Sequence, residues 1–481
     1  MASAELDGEK FDVVVLGTGL EESILASSIA EAGQTVLHID KNPYYGGPNA
    51  SFSLYQLFEW ATSRRDFRQT PLVEILVNTG LSDTPTFVID TEQPVKSEDN
   101  DAVQQLAQYA TNPELLPQAN RELQNMLQSS REYAIELAPK VALCRGQLVE
   151  LLIDCGIGEY VQFKGIENNM LLHNGKLERV PESKEDVFAS TSLSLIEKRK
   201  LMKLLTTMHA STEQFADLIE ECKNEDFEQL LRSKFKLDGM LLDAVLYAVA
   251  RVNGKVDAPE GCERVRKYVM SIGRYGRMAY LCGMYGGGSE IAQAFCRLCA
   301  VSGGTYILNQ QVTDITCESD GYAIRFDDAT VKARRVIMNP IYDLEARTNG
   351  TVVSRAICIL DQPVLGEDTS AMLSYQSHSL VSLLYMTHAT MAVPSGQSVI
   401  YAWTTGSLVD TKPLLIEALT RTIVNKGNPL LTVFIEVHEL DTEHADSKGI
   451  ITTCLPDPTI DMDSAVSSAY QKLAHHFSIK Q

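Results

Sequence analysis

A glycine-rich turn near the start of the chain has the spacing of a phosphate-binding site: Gly17-Thr18-Gly19-Leu20-Glu21-Glu22. In a dinucleotide-binding turn the first two glycines allow a tight bend close to a pyrophosphate, and the last position is small. Here Glu22 takes that last position. Glu21 and Glu22 also place two negative charges where a helix N-terminus would otherwise attract phosphate. We therefore expect a retained turn with a disabled cofactor site, and the alternative is an unusual but working nucleotide site.

The turn lies within a complete strand–helix–strand unit. A buried strand, Asp12–Leu16, precedes it, a helix runs on to about Ala32, and a second strand, Thr35–Ile39, ends at Asp40. An acidic residue about twenty positions after the turn is typical of this unit, where it binds a ribose hydroxyl. The context therefore predicts a Rossmann-type α/β fold, although the turn predicts no cofactor.

Length and charge indicate a large acidic protein. The 481 residues are enough for two or more domains with their own cores. Lys and Arg number 42 against 63 Asp and Glu, which gives a formal net charge of −21. Nucleic acid is therefore not expected as a partner, because phosphate binding needs a basic face. The first ten residues do not look like a signal peptide and no membrane-spanning run is visible, so we expect a cytoplasmic protein.

The ten cysteines are scattered and are expected to be reduced and mostly buried. Cys296 and Cys299 have CxxC spacing, but the sequence offers no second pair for zinc and no thioredoxin-like context for a redox pair. Packing of both thiols in the core of an amphipathic helix is the better explanation, and we expect no metal site.

Apolar periodicity changes along the chain. From about Leu115 to Ala250 the periodicity is predominantly helical, as in Lys198–Met208. Before this run, Asp90–Asp101 is predicted to be an exposed acidic loop. Later segments have the alternation and turns of short strands: Thr305–Asn309, Val312–Thr316, Tyr322–Phe326, Val331–Met338, Leu380–Met386 and Ser398–Trp403. We expect a discontinuous Rossmann-type, FAD/NAD(P)-binding-like domain with a β-rich second half (residues 1–125 and 262–481). An all-α domain (126–261) is expected to be inserted into it.

Two groups of motifs resemble the superfamily of Rab escort proteins and Rab GDP-dissociation inhibitors. The first group comprises Asp12–Leu20, Val36–Asp40 and Asn42–Gly47. The second comprises Gly273–Tyr280, Tyr285-Gly286, Glu290–Arg297 and Gly303–Tyr306, in matching order and spacing. The resemblance runs with interruptions from about residue 11 to 345. It implies a non-catalytic protein that binds GDP-bound Rab GTPases.

Three segments resemble the escort branch more than the inhibitor branch: Gly47–Ser53, Phe295–Ala300 and Val180–Lys203. In the last, Phe188 and Arg199 match the residues through which escort proteins dock onto the Rab geranylgeranyltransferase heterodimer. An exposed aromatic anchor beside a guanidinium is a typical interface pair. Ser194 and Glu197 resemble a capping box that would start a new helix between the two, so a shared helix face is not assumed. The alternative is that Phe188 is a core residue and Arg199 is merely solvated.

The resemblance also implies a Rab-binding platform, formed by Tyr45, Glu290, Arg297, Thr305 and Ile307. Tyr45 lies in a glycine turn that would expose it, although a turn aromatic can also pack inward. Glu290 and Arg297 are seven residues apart and would share a helix face, whether or not they bind anything. Departures from the family pattern are a longer Gly286–Ser289 turn, Ala292 in place of proline, and isoleucine where methionine is usual at position 307.

The function that the resemblance implies is that of a Rab escort protein. Such a protein binds new GDP-bound Rab and presents it to the prenyltransferase. It then shields the geranylgeranyl lipid, for which the helical insert would supply the pocket, and delivers Rab by transient membrane contact. The alternatives are a Rab GDP-dissociation inhibitor that recycles prenylated Rabs, a flavin-dependent oxidoreductase on the same fold, and a plain scaffold.

Overall fold

The fold is known from a computed structural model, which describes residues 6–63, 70, 72–77, 81, 87–90, 121–191, 193–326, 329–343, 345–423 and 427–479. Most of the predicted acidic loop, and the aspartates at 327 and 328, lie outside these residues. The strands are β1 (Lys10–Leu16), β2 (Val36–Ile39), β3 (Ser51–Phe52), β4 (Leu72–Val77), β5 (Phe87–Asp90), β6 (Ile135–Glu136), β7 (Ala142–Leu143), β8 (Phe163–Gly165), β9 (Asn168–His173), β10 (Lys176–Arg179), β11 (Tyr280–Gly283), β12 (Thr305–Ile307), β13 (Val312–Glu318), β14 (Gly321–Phe326), β15 (Ala329–Met338), β16 (Thr348–Leu360), β17 (Ala371–Gln376), β18 (Leu380–Thr387), β19 (Ser398–Thr405), β20 (Pro429–Leu440) and β21 (Ile451–Thr452).

Helices separate and cover these strands. The α-helices are Leu20–Glu31, Leu54–Ser63, Arg121–Gln128, Gln147–Asp154, Lys184–Ala189, Leu195–Met208, Thr212–Cys222, Phe227–Ser233, Gly239–Asp243, Ala258–Ser271, Gly287–Val301, Leu408–Ile423, Glu443–Ser447 and Asp463–Lys472. Two π-helical turns follow on from α-helices, Ala244–Val249 and Leu473–Phe477. Short 3₁₀ turns are Gly47–Asn49, Ser130–Glu132, Gly158–Tyr160, Pro340–Tyr342 and His388–Thr390.

The first sheet is of the Rossmann type. Within the described residues its order is β12-β2-β1-β15-β14-β13, with β21 also paired to β15. The strands β12, β2, β1, β15 and β21 run parallel, as crossovers through helices require, and β14 with its neighbours is antiparallel. The helices Leu20–Glu31, Gly287–Val301 and Asp463–Lys472 cover one face, and the helix N-terminus at Gly19 meets the carboxyl end of β1.

The second sheet carries the β-rich half. Its order among the described residues is β10-β9-β17-β18-β19-β16-β20-β4-β5. One of its faces shares an apolar core with the helices between Lys184 and Ser271, where Leu204 and Val265 pack in the same cluster as Val433. Helix Leu408–Ile423 covers the other face, with Leu415 at its centre. The helices between Lys184 and Ser271, called the helical layer below, therefore pack against this sheet.

The predicted fold class is confirmed, and so are the predicted elements outside the long helical run. The opening unit, the six later strands and the helix over Lys198–Met208 all occur within one to three residues of their expected ends. Cys296 and Cys299 are buried on their helix as expected, and their Sγ atoms belong to no metal-ligand group among the described residues.

The helical run was predicted too broadly. Between 135 and 179 it contains β6 to β10, and β9 pairs with β17 of the second sheet. These strands have two to six residues, and apolar periodicity cannot separate so short a run from a helix. Residues 115–120 lie outside the described part of the chain. No helix in that part combines the length and the apolar character needed to cross a membrane.

Candidate functional site

The glycine turn has the predicted shape but is closed by the chain itself. Gly17 has a φ of +105°, which a side chain would resist, and this bend carries the backbone from β1 into the helix. The amide of Leu20, in the first turn of that helix, donates 3.3 Å to the side-chain oxygen of Asn49. The amide of Gly46 donates 3.1 Å to the carbonyl of Thr18. The Leu20 amide, which would face a phosphate at this helix N-terminus, therefore already has a partner, and the loop at Gly46 packs against the turn.

Asp40, the expected ribose ligand, is also engaged internally. Its carboxylate accepts bonds of 2.9 Å from the Thr18 amide and 2.6 Å from the Thr18 hydroxyl. Its other oxygen accepts 2.9 Å from the hydroxyl of Tyr342 and 2.8 Å from the amide of Asn42. Burial raises the pKa of Asp40, and the bonds from Thr18 oppose that rise. This carboxylate holds two turns together and offers no free oxygen for a ribose.

Glu22 and Glu21 are both buried, and their carboxyl groups are stabilised in different ways. One Glu22 oxygen accepts 2.7 Å from the Asn339 amide nitrogen and a short bond from the Thr453 hydroxyl, and the other lies against Gly19. Burial raises the pKa of Glu22 to about 7, and the charge of Glu21 adds to the rise. Glu21 instead pairs with the Lys472 ammonium at 2.6 Å. The negative charge expected to repel a phosphate here is therefore reduced, because Glu21 is paired with a lysine and Glu22 is partly protonated near neutral pH.

The pKa of Glu22 makes stability depend on pH. The folded chain binds this proton up to about pH 7, whereas the unfolded chain releases it near 4.5, so its contribution to stability falls as pH rises through that window. Glu22→Gln keeps the acceptor oxygen and removes the titration. We expect urea unfolding to show that the fall between pH 5 and pH 8 is smaller in this variant by about 2–3 kcal/mol. Glu9→Gln, at an exposed site, is the control, and equal pH slopes in all three proteins would contradict the assignment.

A cavity of about 660 Å³ lies beside this turn. Its wall includes Glu21, Glu22, Asn49 and Lys140, and the Lys140 ammonium is held by Asp457 at 2.5 Å. A flavin or nicotinamide dinucleotide is the cofactor that this fold implies. The residues present do not fit its phosphates or its ribose, because the Leu20 amide is bonded to Asn49, both oxygens of Asp40 are bonded within the chain, and the Glu22 carboxyl lies against Gly19.

Tyr45 and the helix Gly287–Val301 form the centre of the predicted platform. Gly286, with a φ of +92°, starts this helix, and the hydroxyl of Ser289 lies 3.4 Å from the carbonyl of Tyr45. The Tyr45 ring is half-buried and stands 6.3 Å from the ring of Tyr306. The loop after β2 and the helix N-terminus are thereby brought together.

Glu290 and Arg297 lie on that helix with different surroundings. Glu290 is half-buried, accepts 3.2 Å from the amide of Gln293, and has a pKa raised by burial. It borders a surface depression of about 590 Å³ that Tyr55 and Tyr285 also line. Arg297 is exposed and its guanidinium lies 4.2 Å from the ring centre of Tyr160. Neither has an ion-pair partner among the described residues, so both can face a second protein.

The two strand residues of the predicted platform differ in access. Thr305 and Ile307 alternate with Tyr306 on β12 and share one side of it. Thr305 is half-buried, whereas Ile307 is only 7% exposed and packs with Leu6 and Leu37 in the core. Thr305, rather than Ile307, is therefore the accessible member of the pair.

Phe188 and Arg199 lie on two separate, well-capped helices. The capping box predicted at Ser194 and Glu197 is present, and Ser183 with Asp186 caps the helix that carries Phe188. The Phe188 side chain is 68% exposed, which excludes the core alternative, and Arg199 is exposed without an ion pair among the described residues. The Lys198 ammonium donates 2.9 Å to the carbonyl of Phe188 and ties the two helices together.

Sequence reasoning missed two exposed residues beside this pair. Leu195 and Ile196 are 76% and 66% exposed. No role was predicted for them from the sequence, because helical periodicity was predicted only from Lys198 onward. Their position around the helix could have revealed this exposure. At about 100° per residue, Leu195 and Ile196 point away from the side on which Leu201 and Leu205 are buried.

The helical layer contains a narrow apolar gap of about 20 Å³, room for roughly one water molecule. Its lining comes from three helical segments and a loop: Val180, Pro181, Glu182, Leu201, Leu204, Leu205, Leu241, Ala244, Val245, Val249, Val265, Tyr268 and Val269. The Glu182 carboxyl accepts 2.6 Å from the Tyr268 hydroxyl, and burial raises its pKa to about 8. A longer apolar guest could enter only if these helices separated.

The sequence profile of the GDP dissociation inhibitor family matches residues 7–74 and 104–378. The chain belongs to this family. Among relatives, a Drosophila melanogaster protein named Rab proteins geranylgeranyltransferase component A is 27% identical over 96% of this chain and 87% of its own. A probable secretory pathway GDP dissociation inhibitor 1 of Schizosaccharomyces pombe is 31% identical over 75% of this chain and 70% of its own. The resemblance stated from the motifs is thus confirmed.

Solved structures agree with this family at the level of the fold. The crystal structure of a Rab GDI from Plasmodium falciparum superposes with a TM-score of 0.70 at 21% identity, over 99% of this chain and 100% of that one. An oxidoreductase from Methanosarcina mazei gives 0.54 at 13% identity, over 96% and 99%. The GDP dissociation inhibitor family therefore shares its architecture with oxidoreductases, as the glycine turn suggests.

Proposed function

We propose that this chain is a Rab escort protein. It binds a new GDP-bound Rab GTPase, presents it to Rab geranylgeranyltransferase, shields the added geranylgeranyl groups and delivers the Rab to a membrane. The observation that carries this proposal is that Phe188 and Arg199 are both exposed, on two helices held by capping boxes and joined by Lys198. The Drosophila relative, similar over nearly its whole length, is named as a component of that transferase, which supports the same conclusion.

The Rab would bind to the platform around Tyr45, Glu290, Arg297 and Thr305. A half-buried aromatic ring, together with an acid and a base that lack ion-pair partners among the described residues, gives a surface with apolar and charged contacts. Such surfaces fix the orientation of a partner as well as its affinity. The platform lies in the discontinuous domain of residues 1–125 and 262–481, and the docking pair lies in the inserted domain of residues 126–261.

The lipid would enter the helical layer at the apolar gap. A twenty-carbon chain left in water costs on the order of 10 kcal/mol, at about 0.8 kcal/mol per methylene, so a carrier of prenylated Rab must bury it. The gap is too narrow as it stands, so the helix Leu195–Met208 must move away from Ala258–Ser271. The same helix carries Arg199, which would place lipid entry next to the transferase.

The chain would perform no catalysis and hold no cofactor of its own. Support comes from the dinucleotide turn, where Asp40, Glu22 and Asn49 are all engaged in hydrogen bonds within the chain. The nucleotide of this system would be the GDP in the partner. The carrier would be cytoplasmic, which fits the acidic net charge of −21, and would contact the membrane only transiently when it delivers Rab.

A second candidate is a Rab GDP-dissociation inhibitor that recycles prenylated Rabs. The 31% identity with the Schizosaccharomyces pombe relative favours it, since this exceeds the identity with the Drosophila protein, though over less of the chain. The platform and the lipid site would serve both functions. Only docking through Phe188 and Arg199 separates them.

Arg297→Ala is expected to weaken binding of a GDP-loaded Rab roughly 10- to 100-fold, because arginine at the centre of an interface is a frequent hot spot. The affinity would be measured by calorimetry with unprenylated, GDP-loaded Rab. Arg325→Ala removes an exposed arginine from β14 and should leave the affinity unchanged. If both variants bind like the unmodified chain, the platform assignment is wrong.

A further inference from the structure

Three exposed apolar side chains lie on two consecutive helices of the helical layer, which the bond from Lys198 to Phe188 joins. Phe188, Leu195 and Ile196 are each about two-thirds exposed or more. Leu195 and Ile196 open the helix Leu195–Met208, one and two residues after its cap Ser194. Clustered exposed apolar residues of this size mark interaction sites in otherwise polar surfaces.

Helix geometry places Leu195, Ile196 and Arg199 on one face. At about 100° per residue, their directions lie within about 100° of one another. The buried residues Leu201, Leu204, Leu205 and Met208 point the opposite way, into the core. Arg199 therefore stands one turn from both apolar residues, and Phe188 is held close by through Lys198. The four side chains form what we call the 188–199 patch.

The charges around the patch favour a protein over a lipid surface. Lys184 and Lys198 are balanced by Glu185 and Glu197, and Lys200 is paired with Asp238 at 2.8 Å. The local charge is therefore near neutral, unlike the basic clusters that bind anionic membranes. The Arg199 guanidinium has no ion-pair partner among the described residues. A partner protein with a carboxylate beside an apolar surface would therefore complement it.

We propose that Leu195 and Ile196 complete the prenyltransferase docking site, packing against an apolar surface of the transferase while Arg199 meets a carboxylate at the edge of that surface. This inference rests on the proposed escort function and names two contact residues beyond Phe188 and Arg199. The two capping boxes fix both helix starts, so the patch is preorganised and little conformational entropy is lost on docking.

The test measures the affinity of the full chain, loaded with GDP-bound Rab, for purified Rab geranylgeranyltransferase. The double variant Leu195→Ala/Ile196→Ala is expected to bind about tenfold more weakly, or worse. The conservative double variant Leu195→Met/Ile196→Leu should bind as the unmodified chain. Val409→Ala, at an 81% exposed helical position elsewhere, is the matched control and should also be neutral. Thermal melts of all variants should coincide, because the truncated side chains face outward.

Four other outcomes overturn the proposal. If Phe188→Ala loses binding while Leu195→Ala/Ile196→Ala keeps it, docking stands but these two residues play no part in it. If the unmodified chain does not bind the transferase, the escort function fails as well. If the chain binds phosphatidylcholine–phosphatidylserine vesicles and the double variant does not, the patch is a membrane contact. If sedimentation shows a dimer that the double variant disrupts, the patch joins two copies of this chain.

Discussion

Replacing Phe188 by alanine is expected to lower the affinity for Rab geranylgeranyltransferase at least about 30-fold, because truncating an aromatic anchor typically costs 2 kcal/mol or more. The side chain is 68% exposed in the free chain, so it gives up no internal packing when it inserts into a partner. Its removal should leave the free energy of unfolding and the affinity for GDP-loaded Rab unchanged. The measurement is a titration of labelled transferase with the Rab-bound chain.

The matched control for this truncation is Ile153→Ala, which shortens another half-exposed apolar side chain on the helix Gln147–Asp154. An Arg199→Ala variant should show a smaller loss of its own. The two losses should not add, since both side chains would contact one site. If Phe188→Ala supports Rab prenylation at the rate of the unmodified chain, the docking assignment is wrong. The Rab GDP-dissociation inhibitor function would then be favoured.

The second large effect is expected in the helical layer. Leu204→Ala should lower the free energy of unfolding by about 2–5 kcal/mol, since the residue is fully buried and the truncation enlarges the apolar gap. If the geranylgeranyl chain binds there, it fills the new cavity. A geranylgeranylated peptide should then raise the urea midpoint of this variant more than that of the unmodified chain.

Leu415→Ala is the control for this experiment. Leu415 is equally buried, but its core lies on the other face of the second sheet, under the helix Leu408–Ile423. The variant should lose similar stability, and the lipid peptide should stabilise it no more than it stabilises the unmodified chain. Equal lipid-induced shifts in all three proteins would place the lipid outside the gap lined by Leu204.

Local features of the sequence were enough to predict the scaffold. The βαβ unit around Gly17, the capping box at Ser194 and the strands after residue 303 each follow from short-range periodicity and turn chemistry. The exposure of Phe188 followed only from the resemblance, because a phenylalanine between Val187 and Ala189 is equally typical of a core position.

Long-range contacts account for what the sequence did not reveal. The carboxylate of Glu21 is balanced by Lys472, which lies 451 positions away in the chain. The helix N-terminus is occupied by Asn49, and Ile307 is buried by Leu6, contacts that periodicity does not encode. The disabled turn was predicted from charge repulsion, whereas the structure closes it mainly through hydrogen bonds within the chain.

The central claim is that this chain enables Rab prenylation, and one assay tests it directly. Purified Rab geranylgeranyltransferase, geranylgeranyl pyrophosphate and a GDP-loaded Rab are combined with and without the chain, and lipid transfer to Rab is followed with time. The escort proposal predicts transfer only when the chain is present and loss of that transfer with Phe188→Ala. Equal lipid transfer without the chain would contradict the proposal. So would a lack of transfer in the presence of the chain, if the chain nevertheless extracts prenylated Rab from membranes.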